Sequence, residues 1–242
     1  MAERVWEKFL TEQDKVHLAL VPHKPVGFGD NPALLLIDLY RWVFGDHPQH
    51  ILDAVEDWPS SCGLDAWDAV PHIQTLIQAA RDAQVPIVHM TSLNEPGLKG
   101  WTDMRNSGAT AERSPEAQDR FDRRGDIIDE VVALPGEPVL LKSSPSAFWG
   151  TPLMGHLNYL GIDTIITCGE STSGCVRASV VDGCTNRFRM MVVEECVFDR
   201  HQASHAINLF DMNQKYADVL PLADVLEYMA SWRAQKDADG GK

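Results

Sequence analysis

The sequence predicts an α/β protein with a central parallel sheet covered by helices on both faces. Three observations predict it. Short apolar runs of strand length recur along the chain: ALLLID (33–38), PIVHMT (86–91), PVLLK (138–142), TIITCG (164–169) and MMVVEE (190–195), with a weaker run ADVLPL (217–222). These runs lack polar alternation, as expected of strands buried on both faces of a parallel sheet. Helical patterns lie between them, and a repeated strand–helix–strand order with right-handed crossovers covers both faces.

In chain order, residues before about 30 carry few strand signals and are expected to wrap the surface as an N-terminal arm. The first run, 33–38, is strand one. In 65–84, Val70, Ile73, Ile77 and Ala80 share one helical face. Helices are also expected over 151–160, 175–187, 201–213 and 222–235. Residues 235–242, ending QKDADGGK, read as a frayed tail. Residues 1–242 are read as a single domain, ordinary for this length. Two long connections, 45–64 and 93–137, interrupt the alternation with Pro, Gly and charge. Such excursions shape a site or a subunit contact. The stretch RSPEAQDRFDRRGD in the second reads as a solvated, partly helical face.

Composition narrows the function classes. The 242 residues carry 44% hydrophobic and 23% charged side chains, and a formal net charge of −14. A surface of that sign disfavours nucleic-acid and anionic-membrane partners. An anionic substrate would need a local cation. The charged N-terminus has no apolar signal region, and no stretch is long and apolar enough to span a membrane. Five cysteines, at 62, 168, 175, 184 and 196, form no CxxC pair and no zinc spacing. Reduced thiols in a cytoplasmic protein are expected.

The most informative segment is TIITCGESTSGCVRASVVDG. A buried strand ends at 167–169, a tight polar turn follows, and Cys175 stands where the next helix is expected to start. Unpaired N–H groups and the positive end of the helix dipole are expected there to lower the thiol pKa and to receive an oxyanion. The other thiols at 168, 184 and 196 read as buried and inert. A thiol nucleophile needs a base and an electrostatic partner. Asp38 ends ALLLI and Lys142 ends PVLLK. Strand carboxyl ends face the ligand crevice of a parallel sheet, so Asp38, Lys142 and Cys175 can meet at one edge. Taken singly, Asp38 or Lys142 could be a strand-end residue facing water.

The strand-terminal Asp of LLLID, the Lys of LLKSSPSAFWGTPL and the segment GESTSGCVRASVVDG together resemble the isochorismatase-like cysteine hydrolases, over roughly residues 30–225. With VVEECVFDR, the last segment looks most like the N-carbamoylsarcosine amidohydrolase branch. The resemblance implies a three-layer α/β/α fold with a six-stranded parallel sheet and a homo-oligomer, dimer or tetramer. It implies Asp38, Lys142 and Cys175 as a catalytic triad and a cis peptide at Glu170–Ser171. The backbone N–H groups of Ser171 and Cys175 would form the oxyanion hole. Glu170 departs from the small or apolar residue expected at its position. Arg200, in VFDR, would grip a substrate carboxylate; otherwise it is a surface Arg paired with Asp199 or Glu195. Trp42, Phe44, Phe148 and Trp149 flank the triad positions and either close an apolar lid over substrate or belong to the core; Trp42 and Trp149 are the substrate-contact candidates.

Nicotinamidases of this fold hold a metal with an Asp–x–His motif and a second His. Here VHMTSLNEPG offers His89 without that spacing, so neither a metal nor another cofactor is expected. The other histidines (47, 50, 72, 156, 201, 205) show no ligand pattern. True isochorismatases lack the nucleophilic Cys that this chain has. The implied function is hydrolysis of a small linear amide or N-carbamoyl compound through a Cys175 thioester with release of ammonia, most like an N-carbamoylsarcosine substrate and carrying a carboxylate. Alternatives are a maleamate, biuret or nicotinamide-type amidase, or a catalytically idle binding or scaffold member.

Overall fold

The structure is a computed structural model that describes residues 4–93 and 113–238. The expected connection over 93–137 therefore lies partly outside the described residues, as does the end of the expected tail. Six strands form one parallel sheet in the order β3-β2-β1-β4-β5-β6. They are β1 (Pro32–Ile37), β2 (Ile87–Ser92), β3 (Val139–Lys142), β4 (Thr164–Glu170), β5 (Arg189–Phe198) and β6 (Asp218–Leu220).

The helices are α1 (Glu12–Leu20), α2 (Arg41–Phe44), α3 (Ile51–Asp57), α4 (Leu64–Ala83), α5 (Pro115–Arg123), α6 (Leu153–Tyr159), α7 (Arg177–Thr185), α8 (Gln202–Lys215) and α9 (Leu222–Ala238). The five expected helices correspond to α4 and α6 to α9, and α9 continues through Ala238.

Alternate residues of the central strands feed two cores, which gives three layers. Leu34, Leu36, Ile166 and Met191 pack with Ile73, Leu76 and Ile77 of α4 and Val225 and Met229 of α9. Leu35, Ile37, Ile165 and Val192 pack with Leu157 of α6, Val180 of α7 and Leu209 and Met212 of α8. All six residues of β1 are buried. Each Leu or Ile so enclosed contributes about 1.5–3 kcal/mol.

Two expectations need correction. β3 is an edge strand, not one buried on both faces: Val139 and Leu141 are 43% and 45% exposed. Only its last residue, Lys142, is buried. The N-terminal arm also contains a helix. In α1 the Thr11 hydroxyl accepts the Asp14 N–H while the Asp14 carboxylate accepts the Thr11 N–H, a capping box. No residue of α1 is buried, so it had no apolar periodicity to betray it. The arm is tied down by Trp6, which is buried, by an Arg4–Glu194 ion pair, and by Asp218, which accepts the N–H groups of Val26 and Gly27.

The strand order reverses between β1 and β4, which start crossovers in opposite directions. The crevice outside the carboxyl ends of such strands is the place for a site. Ile37 aligns with Met90 of β2 and with Gly169 of β4, while Lys142 aligns with Ser92. The residues just after these positions are thus brought to one edge.

Candidate active site

Asp38 follows β1 directly. Its N–H still bonds to the Met90 carbonyl at 3.1 Å, but its φ of 57° leaves the strand conformation. A left-handed backbone is unusual for a residue with a Cβ and is held where the surroundings over-determine it. Gly169 opposite has a φ of 119°, and a Cβ there would lie 1.9 Å from the Ile37 carbonyl oxygen. Only glycine lets β1 and β4 approach so closely at the crevice.

The three expected residues meet. Lys142 Nζ lies 2.8 Å from Asp38 Oδ2 and donates to Cys175 Sγ at 3.3 Å. Its third contact is the Ser144 carbonyl, at 3.2 Å. The Asp38 side chain is fully enclosed, and among the described residues neither of its oxygens accepts a well-aligned hydrogen bond. A buried carboxylate left with open lone pairs is costly unless a charge or a ligand compensates it. Here Lys142 compensates it, and the spare lone pairs leave room for a proton.

The electrostatics order the protons. Burial pushes the Asp38 carboxyl above its ordinary value, and Lys142 and the Cys175 thiol pull it back. Burial also opposes the charge on Lys142, but Asp38 and Cys175 more than offset this and raise its proton affinity. Burial, reinforced by Asp38, pushes the Cys175 thiol well above the usual thiol range. The expected lowering of that pKa by a helix start is therefore not what the structure shows. Cys175 sits in a π-helical turn, Thr172–Val176, ahead of α7, and is 8% exposed. Desolvation outweighs the dipole there. The thiol therefore holds its proton more tightly than an ordinary cysteine, beside an Asp38 carboxyl held by Lys142.

The Glu170–Ser171 peptide is cis, as the resemblance implies. The Ser171 carbonyl accepts the N–H groups of Gly174 and Val176 at 2.9 and 3.1 Å. A Cβ on Gly174 would fall 2.3 Å from Ser171 Oγ, so glycine makes space for that hydroxyl. Ser173 N–H donates to Asp199 Oδ2 and Thr172 Oγ1 meets His205 Nδ1, each at 2.8 Å. The backbone of Ser171 and Cys175 is thereby fixed on both sides of the thiol. A cavity of about 330 Å³, lined by Asp65, Asp68, Glu194, Asp199 and His205, adjoins this turn through Asp199 and His205, and Asp38, Lys142 and Cys175 are not in its lining.

Arg200 pairs with neither Asp199 nor Glu195 through its guanidinium. Its Nη1 lies 2.9 Å from Glu170 Oε1, and its Nη2 donates to the Ser60 carbonyl. The β4–β5 register shifts between Thr167 and Gly169, which sets Glu170 beside Phe198 and so near Arg200. Burial raises the Glu170 carboxyl to about 7, against the pull of Arg200. Cys62 Sγ is 3.9 Å from the same carboxylate.

Sequence reasoning missed Tyr40, which is buried. Burial and the charges of Asp38, Glu170 and Cys175 push its phenol well above the ordinary range, so it stays a neutral hydroxyl. Its position two residues after Asp38 was the available signal. Cys62 offered none. Trp42 is partly buried and stands edge-on to Trp58, 6.3 Å between centroids. Trp149 is 68% exposed, in a dip with Ser144, Ser146 and Asp182. Phe148 is core, stacked on Phe188 at 6.0 Å. Buried His89 pairs with Glu137 at 3.1 Å.

The profile of the isochorismatase domain matches residues 32–224. The maleamate amidohydrolase of Pseudomonas putida is 33% identical over 207 residues, covering 84% of this chain and 89% of that protein. The N-carbamoylsarcosine amidase of an Arthrobacter species is 31% identical, covering 84% and 73%. Among solved structures, a cysteine hydrolase from Pseudomonas syringae pv. phaseolicola superposes with a TM-score of 0.68 at 18% identity, covering 87% of this chain and 98% of that one. The N-carbamoylsarcosine amidase of Thermoplasma acidophilum does so with 0.61 at 23%, covering 79% and 96%. At such identities the superpositions speak to the fold. The sequence match over four-fifths of the chain, on a six-stranded parallel sheet of this order, places the chain in the isochorismatase-domain family, as an isochorismatase-like hydrolase.

Proposed function

We propose that the chain is a cysteine amidohydrolase that cleaves a small linear amide or N-carbamoyl compound bearing a carboxylate, with release of ammonia. The observation that carries the reading is the contact of Lys142 with both Asp38 (2.8 Å) and Cys175 (3.3 Å) at the strand ends. A thiol, a base and a fixed cation within reach of one another are what covalent amide hydrolysis requires.

Asp38 accepts the Cys175 proton as sulfur attacks the amide carbon. Lys142 stays charged throughout; it offsets the growing charge on sulfur as it had offset Asp38. The N–H groups of Ser171 and Cys175 receive the oxyanion, worth about 10²–10³ in rate per donor. Collapse breaks the C–N bond, and Asp38 returns the proton to departing ammonia. Water, deprotonated by Asp38, then hydrolyses the thioester and restores the thiol. The high thiol pKa suits this order: no thiolate stands idle, and the nucleophile forms only as its proton moves to Asp38.

The relatives act on maleamate and on N-carbamoylsarcosine, according to their names. Each of these compounds carries a terminal C(=O)NH2 group and a carboxylate, so that shared chemistry is the proposed substrate class; an N-carbamoylsarcosine-like compound is the first choice. Trp149, on the loop after Lys142, and Trp42, in the helix after Asp38, are the proposed aromatic contacts. Exposed Val139, Leu141, Tyr159 and Leu160 support a homo-oligomer. Five free thiols support a reducing, cytoplasmic setting, and among the described residues no helix is long and apolar enough to cross a membrane.

The test is ammonia release from maleamate, N-carbamoylsarcosine, biuret and nicotinamide by wild type and by Cys175→Ala. Turnover of at least one carboxylated amide by wild type alone is expected. Release at the wild-type rate by the variant, or by neither protein, contradicts the proposal; the second outcome favours an idle binding member of the fold.

A further inference from the structure

Glu170 is the polar residue that the covalent cycle leaves unused. It is 4% exposed, lies one residue ahead of Ser171, and has charged or titratable groups on every side. From the residues just after β5 come Arg200 and Asp199; from the β1 end, Asp38 and Tyr40; from β3, Lys142; from the segment before α4, Cys62; from its own turn, Cys175.

The two cations of this cluster differ in access. Lys142 has a side chain 4% exposed and already holds Asp38. Arg200 has a side chain 29% exposed, while its partner Glu170 is only 5% exposed. An incoming anion therefore meets Arg200 and not Glu170. Among the described residues, Arg200 keeps donors free beyond those given to Glu170 and Ser60, but its charge is compensated by the Glu170 carboxylate, and Asp38 and Asp199 add further negative charge. A second carboxylate beside an ionised Glu170 would be a like-charge neighbour, which favours protonation of one of the two.

We infer that Glu170 determines how the site takes a carboxylated substrate: the substrate carboxylate docks on Arg200 together with one proton, which Glu170 receives. The step forms no covalent bond; the solvent supplies the proton, and it leaves again on release. The raised proton affinity of Glu170, near neutrality, places this coupling where a cell would feel it. The inference rests on the carboxylated class of substrate proposed above, and it makes Glu170 a specificity-determining group, positioned through Arg200 and not a member of the covalent machinery.

The experiment is binding of maleamate and of its methyl ester to Cys175→Ala between pH 6 and 9, with net proton uptake read by calorimetry in buffers of different ionisation enthalpy. The acid keeps its own carboxylate ionised across this range. Its Kd is expected to be flat below about pH 7 and to rise about tenfold per pH unit above it, with uptake approaching one proton at pH 8.5. The ester should show no such slope. Adding Glu170→Gln should abolish the slope and the uptake for the acid while preserving its binding. Identical pH dependence for acid and ester, an unchanged slope in Glu170→Gln, or no binding of the acid anywhere in the range each overturns the inference. Turnover is absent from this assay, so a failure of wild type to release ammonia would refute the amidohydrolase reading and leave the binding result to be judged by itself.

Discussion

Among the described residues, the buried thiols of Cys175 and Cys62 each lie against a carboxylate paired with a cation, and Cys175 is the one that fits the proposed chemistry. Cys175 stands beside Asp38 and Lys142, and Lys142 donates directly to its sulfur at 3.3 Å. Cys62 stands 3.9 Å from Glu170, but there the cation, Arg200, is turned to Glu170 and the Ser60 carbonyl. Burial raises both thiols far above their ordinary value. The difference is what a thiolate would find. At Cys175 it would meet an ammonium and the backbone of a turn fixed by Ser171; at Cys62, a carboxylate. On the proposed mechanism, proximity of a thiol to a charged pair is insufficient, and the cation must touch the sulfur.

The largest expected contrast is between the two thiols themselves. Cys175→Ala should lower ammonia release at least about 10³-fold, as loss of a covalent nucleophile does, while Cys62→Ala should keep activity and cost about 1 kcal/mol in stability. Steady-state rates and thermal melts check both. Equal losses in the two variants would break the comparison.

Lys142→Met comes next. It leaves the Asp38 carboxylate enclosed and uncompensated, so a loss of about 3–5 kcal/mol is expected, read by urea denaturation at pH 8 and shrinking at low pH as Asp38 takes a proton. Asp38→Asn keeps the shape and removes the base, with about a 10²–10⁴-fold fall in rate. Its melting temperature should change less than that of Lys142→Met.

The carboxylate beside Cys62, Glu170, responds to pH. Its folded pKa, about 7, lies above the ordinary 4.5. The folded state therefore binds that proton more tightly than the unfolded chain. The group's contribution is fully present below about pH 4.5 and is lost as pH rises through about 7. Glu170→Gln should gain stability over wild type on going from pH 5 to pH 8.5, by at most about 3 kcal/mol. A gain on going to lower pH would reverse the sign and reject the account of that carboxylate.

The sheet was legible because its strands are enclosed. Runs such as ALLLID and TIITCG cannot hide their apolar character, and each falls within a residue or two of its strand. PVLLK misled in part, since an edge strand can be as apolar as a central one; the neighbour on its far side is invisible in sequence. Asp38 and Lys142 were legible as charges stranded at the ends of such runs. The Glu170–Arg200 pair was not. It depends on a register shift in β5 that sets residues 30 apart side by side, and no local spacing encodes that. The thiol pKa was misjudged for a related reason: the helix start is written in the turn, whereas burial of Cys175 is written in the packing of its neighbours.

On the proposed mechanism, Cys175 carries the acyl group. The direct measurement is an acid quench of wild type during turnover of maleamate or N-carbamoylsarcosine, followed by peptide mass analysis. With cleavage after Lys, Arg and Glu, an adduct of the substrate's acyl mass is expected on the peptide that contains Cys175, lost on treatment with hydroxylamine and absent from the peptides of Cys62, Cys168, Cys184 and Cys196. An adduct on another cysteine, or ammonia release at the wild-type rate by Cys175→Ala, would contradict it.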